Sequence, residues 1–303
     1  MPEAFRPVDV TRVRGRARAS DIDRAATEEP LEIRLHGRAF AVIMRTPGAD
    51  RELAAGFLLA ERVLKSADDL GAIEYCTDPD PADRLRQGYG GPPNLHAKAE
   101  AGRHIQSENM DGRAENIVNV TLANGSADEV DRLLAERRQV MTNSSCGLCG
   151  RLTIESLRSD VPALDCAWTI DHATLASLPD RLRAAQGVFD ETGGLHAAGL
   201  FTPDGTLDTC AEDVGRHNAV DKVIGRMLMQ ERLPLSRHLL FVSGRASFEI
   251  VQKALLAGIP IVASVSAPST LAIDLARESG VTLAGFVRGD SFNIYAHAAR
   301  IVN

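Results

Sequence analysis

Apolar and polar positions in LEIRLHGRAFAVIMRT, residues 31–46, follow the pattern of a β-hairpin, with His36-Gly37 as the turn between two apolar strands. Pro47-Gly48 ends the pair. ADRELAAGFLLAERVL then shifts to helical spacing through Leu53, Phe57, Leu58 and Val63. Residues 77–112, rich in Pro, Gly, Asp and Arg, read as a long loop. Asn116 to Leu122 alternates like a strand. SADEVDRLLAERRQ follows as a helix, with Ser126 at the N-cap and Glu129 completing a capping box.

The second half has a different rhythm. Residues 171–186 have helical spacing, and LHAAGLFT and TLDTCAEDV read as strands joined by a Pro203-Asp204-Gly205 turn. A helix is expected from Asn218 to about Gln230, followed by the buried strand HLLFVSG. SFEIVQKALLAG is a helix ending at Gly258. IPIVASV is a strand, STLAIDLARESG a helix and VTLAGFV a strand. Such alternation predicts βαβ units and a largely parallel sheet covered on both faces. The expected organisation is a solvated tail over 1–26, a smaller α+β domain over 27–143, a cysteine-bearing loop over 144–150 and an α/β domain over 151–303. No internal repeat is evident at this level.

Composition narrows the classes. A chain of 303 residues with 44% apolar content can build one large core or two ordinary ones. The apolar runs, such as Ile259 to Val265, are too short to span a membrane, and MPEAFRPVDV lacks the apolar stretch of a secretory signal. A cytoplasmic protein is expected. The net charge of −7 disfavours a general nucleic-acid binder, though loops can still gather positive charge locally.

Five cysteines, Cys76, Cys146, Cys149, Cys166 and Cys210, are odd in number and sparse, which excludes a disulfide scaffold and points to a reducing compartment. Cys146 and Cys149 stand two residues apart in TNSSCGLCGR, ahead of the helix-like RLTIESLRS. A cysteine just before a helix faces unpaired N–H groups and the positive end of the dipole, both of which favour the nucleophilic thiolate. Structural zinc would need a second pair, and no second pair is present. Dithiol redox exchange, an inert turn and persulfide chemistry remain open on spacing alone.

Five ordered blocks carry a resemblance. SSCGLCGR is followed by FDETGGLHAAGLF and CAEDVGRHNAVDKVIG. FVSGRASFEIVQKALLAGIPIVASVSAPSTLAIDLARESGVTLAGFVRG and FNIYAH come after. Together they resemble the FdhD family of formate dehydrogenase accessory sulfurtransferases, densely over 143–297 and loosely over 29–75. The resemblance implies a homodimer whose larger domain is related to the cytidine-deaminase fold. It implies a carrier that takes persulfide sulfur from a cysteine desulfurase onto Cys146, with Cys149 as the second cysteine. The implied acceptor is the molybdenum bis(pterin guanine dinucleotide) cofactor, destined for formate dehydrogenase. Deaminase chemistry itself is not expected. His196 is followed by two alanines rather than the x-Glu of a deaminase, and the cysteine pair precedes it.

An acceptor with two guanine dinucleotides presents four phosphates, so loop N–H groups and guanidinium forks are sought. Gly215, Arg216 and His217 sit at a strand-to-helix turn, with Lys222 one turn into the helix. The alternative there is internal pairing of Glu212 and Asp213 with Arg216, and capping by Asn218. Ser243, Gly244 and Arg245 repeat the layout, which is also ordinary in any α/β sheet. GFVRGDS follows the last parallel strand, where ligands favour strand carboxyl ends, and the resemblance implies that the cofactor site extends into this loop, over Phe286, Val287, Arg288, Gly289, Asp290 and Ser291; the alternative is a solvated turn. His196, beside Gly193-Gly194, is either a cofactor contact or a core histidine. No metal site of the protein's own is expected. The rival functions are a cofactor chaperone that moves no sulfur and a dithiol reductase.

Overall fold

From sequence, residues 1–26 are a solvated tail. In the computed structural model, which describes residues 3–76, 116–123, 131–132 and 162–303, they form a ribbon instead. Phe5–Arg14 (β1) pairs antiparallel with Ala17–Ala26 (β2) across a turn in which Gly15 has φ 61°. Most of the ribbon is exposed on both faces, so Arg and Asp stand where a core-facing strand would carry apolar side chains. That is why no apolar alternation announces it. The loop over 77–112 and the cysteine segment lie outside the described residues, as does the helix expected from Ser126 except for Asp131 and Arg132, which are helical.

The expected hairpin is present. Glu29–Leu35 (β3) and Arg38–Arg45 (β4) pair antiparallel, and His36 (φ 49°) and Gly37 (φ 80°) both take the left-handed turn conformation that such two-residue loops require. Alternation puts Leu31, Ile33 and Leu35 in the core with no exposure, while Glu32 and Arg34 pair at 2.7 Å. Leu70–Tyr75 (β5) and Ile117–Leu122 (β6) complete a four-stranded sheet in the order β4-β3-β6-β5. The helix Asp50–Ala60 (α1) is tied to β4 by the fully buried Arg45, whose Nε and Nη2 each lie 2.9 Å from an Asp50 carboxylate oxygen.

Beyond residue 162 the elements are Ile170–Asp171 (β7), His172–Ala184 (α2), Gly187–Thr192 (α3), His196–Phe201 (β8), Leu207–Asp213 (β9) and Arg216–Met229 (α4). Leu239–Val242 (β10), Phe248–Leu256 (α5), Ile261–Ser264 (β11), Thr270–Ser279 (α6), Thr282–Arg288 (β12), Ser291–Ala296 (β13) and Ile301–Val302 (β14) follow. Six strands form one sheet in the order β13-β12-β11-β10-β8-β9. Only β10–β11 and β11–β12 are parallel. The other three pairs are antiparallel, so the sheet is mixed rather than largely parallel. The tight turns at 202–206 and 289–290 impose two of these three pairings, because a short link can only return a strand antiparallel.

Both faces of this sheet are covered. Leu239 and Phe241 face α2, whose Leu175, Leu178 and Leu182 are buried with Phe201 and Ile261. Leu240 and Val242 face the other way, into a cluster with Val220, Val223, Ile250 and Val251 of α4 and α5. That second cluster continues without a break through Leu53 and Leu58 of α1 to Ile33 and Val118 of the four-stranded sheet. The two halves therefore share one core across the packed pair α1 and α4.

A repeat of two strand–loop–helix units emerges in three dimensions. β10–α5 and β11–α6 are two copies of a strand–loop–helix unit, offset by 22 residues through the register Leu239↔Ile261 and the bridge Ala246↔Pro268. Ser247 and Ser269 begin the two helices, and Gly258 (φ 74°) and Gly280 (φ 72°) follow their ends.

Candidate functional site

β8 runs antiparallel to β10, and β9 antiparallel to β8, so the start of β8 and the end of β9 reach the edge where the parallel strands end. His196 pairs with Asp213 there. The turn at Gly215-Arg216, the loop Ser243-Gly244-Arg245, the loop 265–269 and the end of β12 all emerge along that edge. Blocks far apart in sequence are thereby brought into one row, at the strand ends where open α/β sheets take ligands.

The centre of the row is tight. A β-carbon on Gly244 would stand 3.3 Å from His196 Nδ1 and 3.7 Å from Arg216 Cβ, so the missing side chain keeps the cradle open over both residues. Ser243 is held by reciprocal bonds to β8: its N–H donates to the Ala197 carbonyl at 3.0 Å, and its hydroxyl accepts from the Ala197 N–H at 2.9 Å. Arg216 Nε is buried without a hydrogen-bond partner among the described residues, which leaves a guanidinium donor to be satisfied. Arg245 is exposed. Burial, then the nearby Arg216 and His217, holds the half-buried His196 below its ordinary pKa, so the ring is kept neutral.

Other expected contacts face inward. His217 is only 7% exposed; its Nε2 lies 3.1 Å from Ser247 Oγ and its Nδ1 2.9 Å from Glu249 Oε2. The second is a close contact rather than an aligned hydrogen bond, because neither Glu249 oxygen has a well-directed donor. The His217 ring thus ties the starts of α4 and α5 instead of pointing outward. Lys222, proposed from spacing as a phosphate ligand, is 2% exposed and bound 2.7 Å from Asp213 Oδ2, with the Thr46 carbonyl at 2.8 Å. It clamps the β9–α4 turn onto the β4–α1 loop.

The alternative pairing expected at this turn is also corrected. Glu212 accepts from the N–H groups of Val188 (3.0 Å) and Phe189 (2.8 Å) at the start of α3, not from Arg216. Asn218 does not cap a helix. It lies inside α4 and donates to Asp213 and to the Met44 carbonyl, each at 2.8 Å.

The segment 286–291 is not a free loop. Phe286, Val287 and Arg288 end β12, Gly289-Asp290 make the turn, and Ser291 starts β13. Val287 is fully buried in the core between the sheet and α2, which leaves no side chain for a ligand. Phe286, in contrast, is 39% exposed with φ 56°, and its N–H donates to the Ser266 carbonyl at 3.2 Å. Arg288 Nε donates to the Val265 carbonyl at 3.2 Å, and the Ser291 hydroxyl to the Arg288 carbonyl at the same distance.

These bonds expose what residue reasoning missed. The loop Val265-Ser266-Ala267-Pro268 sits between the Ser243–Arg245 loop and β12, joined to one by the Ala246↔Pro268 bridge and to the other by Phe286 and Arg288. The signal was available in SVSAPS, which copies the layout of FVSGRAS. Cys146 and Cys149 lie outside the described residues.

A sequence profile described as the FdhD/NarQ family matches residues 26–302. The chain belongs to this family. Among FdhD/NarQ relatives, the sulfur carrier protein FdhD of Streptomyces avermitilis is 49% identical over 300 residues, covering 96% of this chain and 94% of the relative. The protein of the same name from Mycolicibacterium paratuberculosis is 50% identical over 278 residues, covering 90% of each. The crystal structure of a protein described as a formate dehydrogenase accessory protein, from Desulfotalea psychrophila, superposes with TM-score 0.71 at 23% identity. It covers 99% of this chain and 100% of that one, and shows that the fold is shared. The family assignment agrees with the resemblance read from the five blocks. No helix among the described residues is long and apolar enough to cross a membrane.

Proposed function

We propose that this FdhD/NarQ protein carries sulfur on Cys146 from a cysteine desulfurase to a molybdenum bis(pterin guanine dinucleotide) acceptor bound at the carboxyl edge of the six-stranded sheet. The observation that carries the reading is the Gly244 cradle between His196 and Arg216, open at the same edge as Arg245, Phe286 and Arg288. A polyanion with aromatic end groups suits guanidinium donors beside an exposed aromatic ring and a neutral imidazole. The mixed sheet with helices on both faces supports kinship of this layer with the cytidine-deaminase fold.

In the reaction, the Cys146 thiolate attacks the outer sulfur of the desulfurase persulfide. The donor's S–S bond breaks, and its cysteine leaves as thiolate while Cys146 gains the sulfane sulfur. The terminal sulfane sulfur would then pass to the reduced metal of the acceptor, which supplies the two electrons that make it a sulfido ligand, and Cys146 is released as thiolate. Arg216, Arg245 and Arg288 hold phosphates during transfer, and the neutral His196 ring accepts or donates a hydrogen bond without adding charge. Cys76, Cys166 and Cys210 are free thiols, in keeping with a reducing, cytoplasmic setting. Homodimerisation follows from the family resemblance alone.

The test is peptide mass spectrometry after incubation with a cysteine desulfurase and L-cysteine, without reductant, on wild type, Cys146→Ala and Cys149→Ala. Sulfur added to the peptide containing Cys146, and absent in Cys146→Ala, is the expected result. No sulfur on either cysteine would favour a chaperone that only carries the cofactor.

A further inference from the structure

The β1–β2 ribbon has no role in the proposed transfer and lies almost wholly ahead of the family match, which starts at residue 26. Ten residue pairs make it about 30 Å long. Among the described residues it joins no other sheet. Its base is anchored: Arg24 pairs with Glu191 of α3, and a β-carbon on Gly194 would stand 3.6 Å from Ala26 Cβ. Beyond the base most side chains are exposed, with Val8 and Val10 half-buried, an unusual state for a lone two-stranded ribbon, which is marginal in water.

The far end is strongly basic. Residues 11–19, TRVRGRARA, hold Arg12, Arg14, Arg16 and Arg18 and no acid, in a chain of net charge −7. Arg12 pairs with Asp21 at 2.5 Å and Asp23 at 3.4 Å. Arg14, Arg16 and Arg18 have no ion-pair partner among the described residues and are exposed. Val13 (58% exposed) and Ile22 (65%) lie on one face of the ribbon, since Val13 pairs with Arg18 and Ile22 with Asp9, two register steps away in each strand. Arg18 stands opposite Val13 on that face, and an exposed apolar side chain beside an unpaired guanidinium group is the make-up of a protein-binding surface. A nucleic acid would leave Val13 and Ile22 without a dry partner.

Position selects the partner. The base of the ribbon packs at Gly194, two residues before His196, so the arm is rooted beside the arginine-bearing edge. That is where a recipient of the bound cofactor must come. We propose that the β1–β2 ribbon is a docking arm for an acidic surface on the apo-dehydrogenase that receives the cofactor; the partner's identity rests on the function proposed above.

The test uses the full chain and the purified apo-dehydrogenase, immobilised for interferometry, with wild type, the triple variant Arg14→Glu, Arg16→Glu, Arg18→Glu, and Val13→Asp. Wild-type binding should weaken by about tenfold or more between about 50 and about 500 mM salt. The triple variant should bind about tenfold more weakly at the lowest salt and show a flatter salt response. Val13→Asp should weaken binding at every salt concentration. Equal affinities for wild type and triple variant, or no binding of the wild type, would overturn the proposal. So would a triple-variant defect confined to duplex DNA or anionic vesicles run in parallel. Persulfide loading on Cys146 is read separately: failure there sinks the sulfur-transfer reading while the binding comparison still decides the arm.

Discussion

Gly225 of α4 packs so closely on α1 that a β-carbon there would stand 2.6 Å from the backbone nitrogen of Gly56 and inside contact distance of the Glu52 carbonyl. The arrangement is reciprocal, because a β-carbon on Gly56 would meet the Asp221 carbonyl carbon at 2.7 Å. Backbone rather than side chain stands in the way, so the collision cannot be relieved by a rotamer change. Gly225→Ala should destabilise the protein by about 3 kcal/mol as the helices are forced apart. Urea unfolding checks this; a loss below about 0.5 kcal/mol would mean that the helix pair is plastic.

Arg245 and Lys222 should behave oppositely despite their similar placement near strand-to-helix turns. Arg245→Ala removes an exposed cation and should weaken binding of a guanine nucleotide while leaving the melting temperature within a degree or two. Lys222→Met strands the fully buried Asp213 and should cost about 3–5 kcal/mol. Calorimetric binding and thermal melts on the same two variants separate the effects.

His196 provides a pH signature. Its folded pKa lies below the ordinary 6.5, so the fold favours the neutral ring. The associated stability is full above 6.5 and is lost as pH falls from there through the folded pKa. A bound phosphate would favour the imidazolium, so guanine-nucleotide affinity should rise as pH drops over the same window. His196→Gln should abolish that rise. NMR titration of the ring with and without nucleotide is the direct measurement, and an unshifted pKa on binding would place the phosphates elsewhere.

Asp221 and Lys253 form a further buried pair, 2.5 Å apart, between α4 and α5. Burial raises Asp221 to about 6 in spite of the adjacent Lys253. Because this folded pKa exceeds the ordinary 3.8, the group's contribution is present at low pH and lost as pH rises from 3.8 through about 6. Lys253→Met removes the compensating charge and should raise Asp221 further. The variant's stability deficit should therefore be larger at pH 8 than at pH 5, which paired urea melts will show.

Local pattern carried much of this protein. The His36-Gly37 turn, the strands on either side of it, and the alternation of β10, α5, β11, α6 and β12 were all legible, because they depend on period and on the φ preference of a few residues. The five ordered blocks likewise placed the chain in its family. Tertiary packing decided the rest. Arg216, His217 and Lys222 share one turn and its following helix turn, yet only the first keeps an unsatisfied donor; the other two are taken up by Glu249, Ser247 and Asp213, which only the folded chain brings near. Val287 and Phe286 are neighbours with opposite fates, since the register break at the left-handed Phe286 leaves its ring exposed while Val287 enters the core under α2. The ribbon over Phe5–Ala26 escaped notice because its strands bury little, and hydrophobic pattern reports burial rather than backbone pairing. Sequence determines which residues can pair or alternate; which of their polar groups remain free for a ligand is set by neighbours from distant segments, and those exist only once the core has closed.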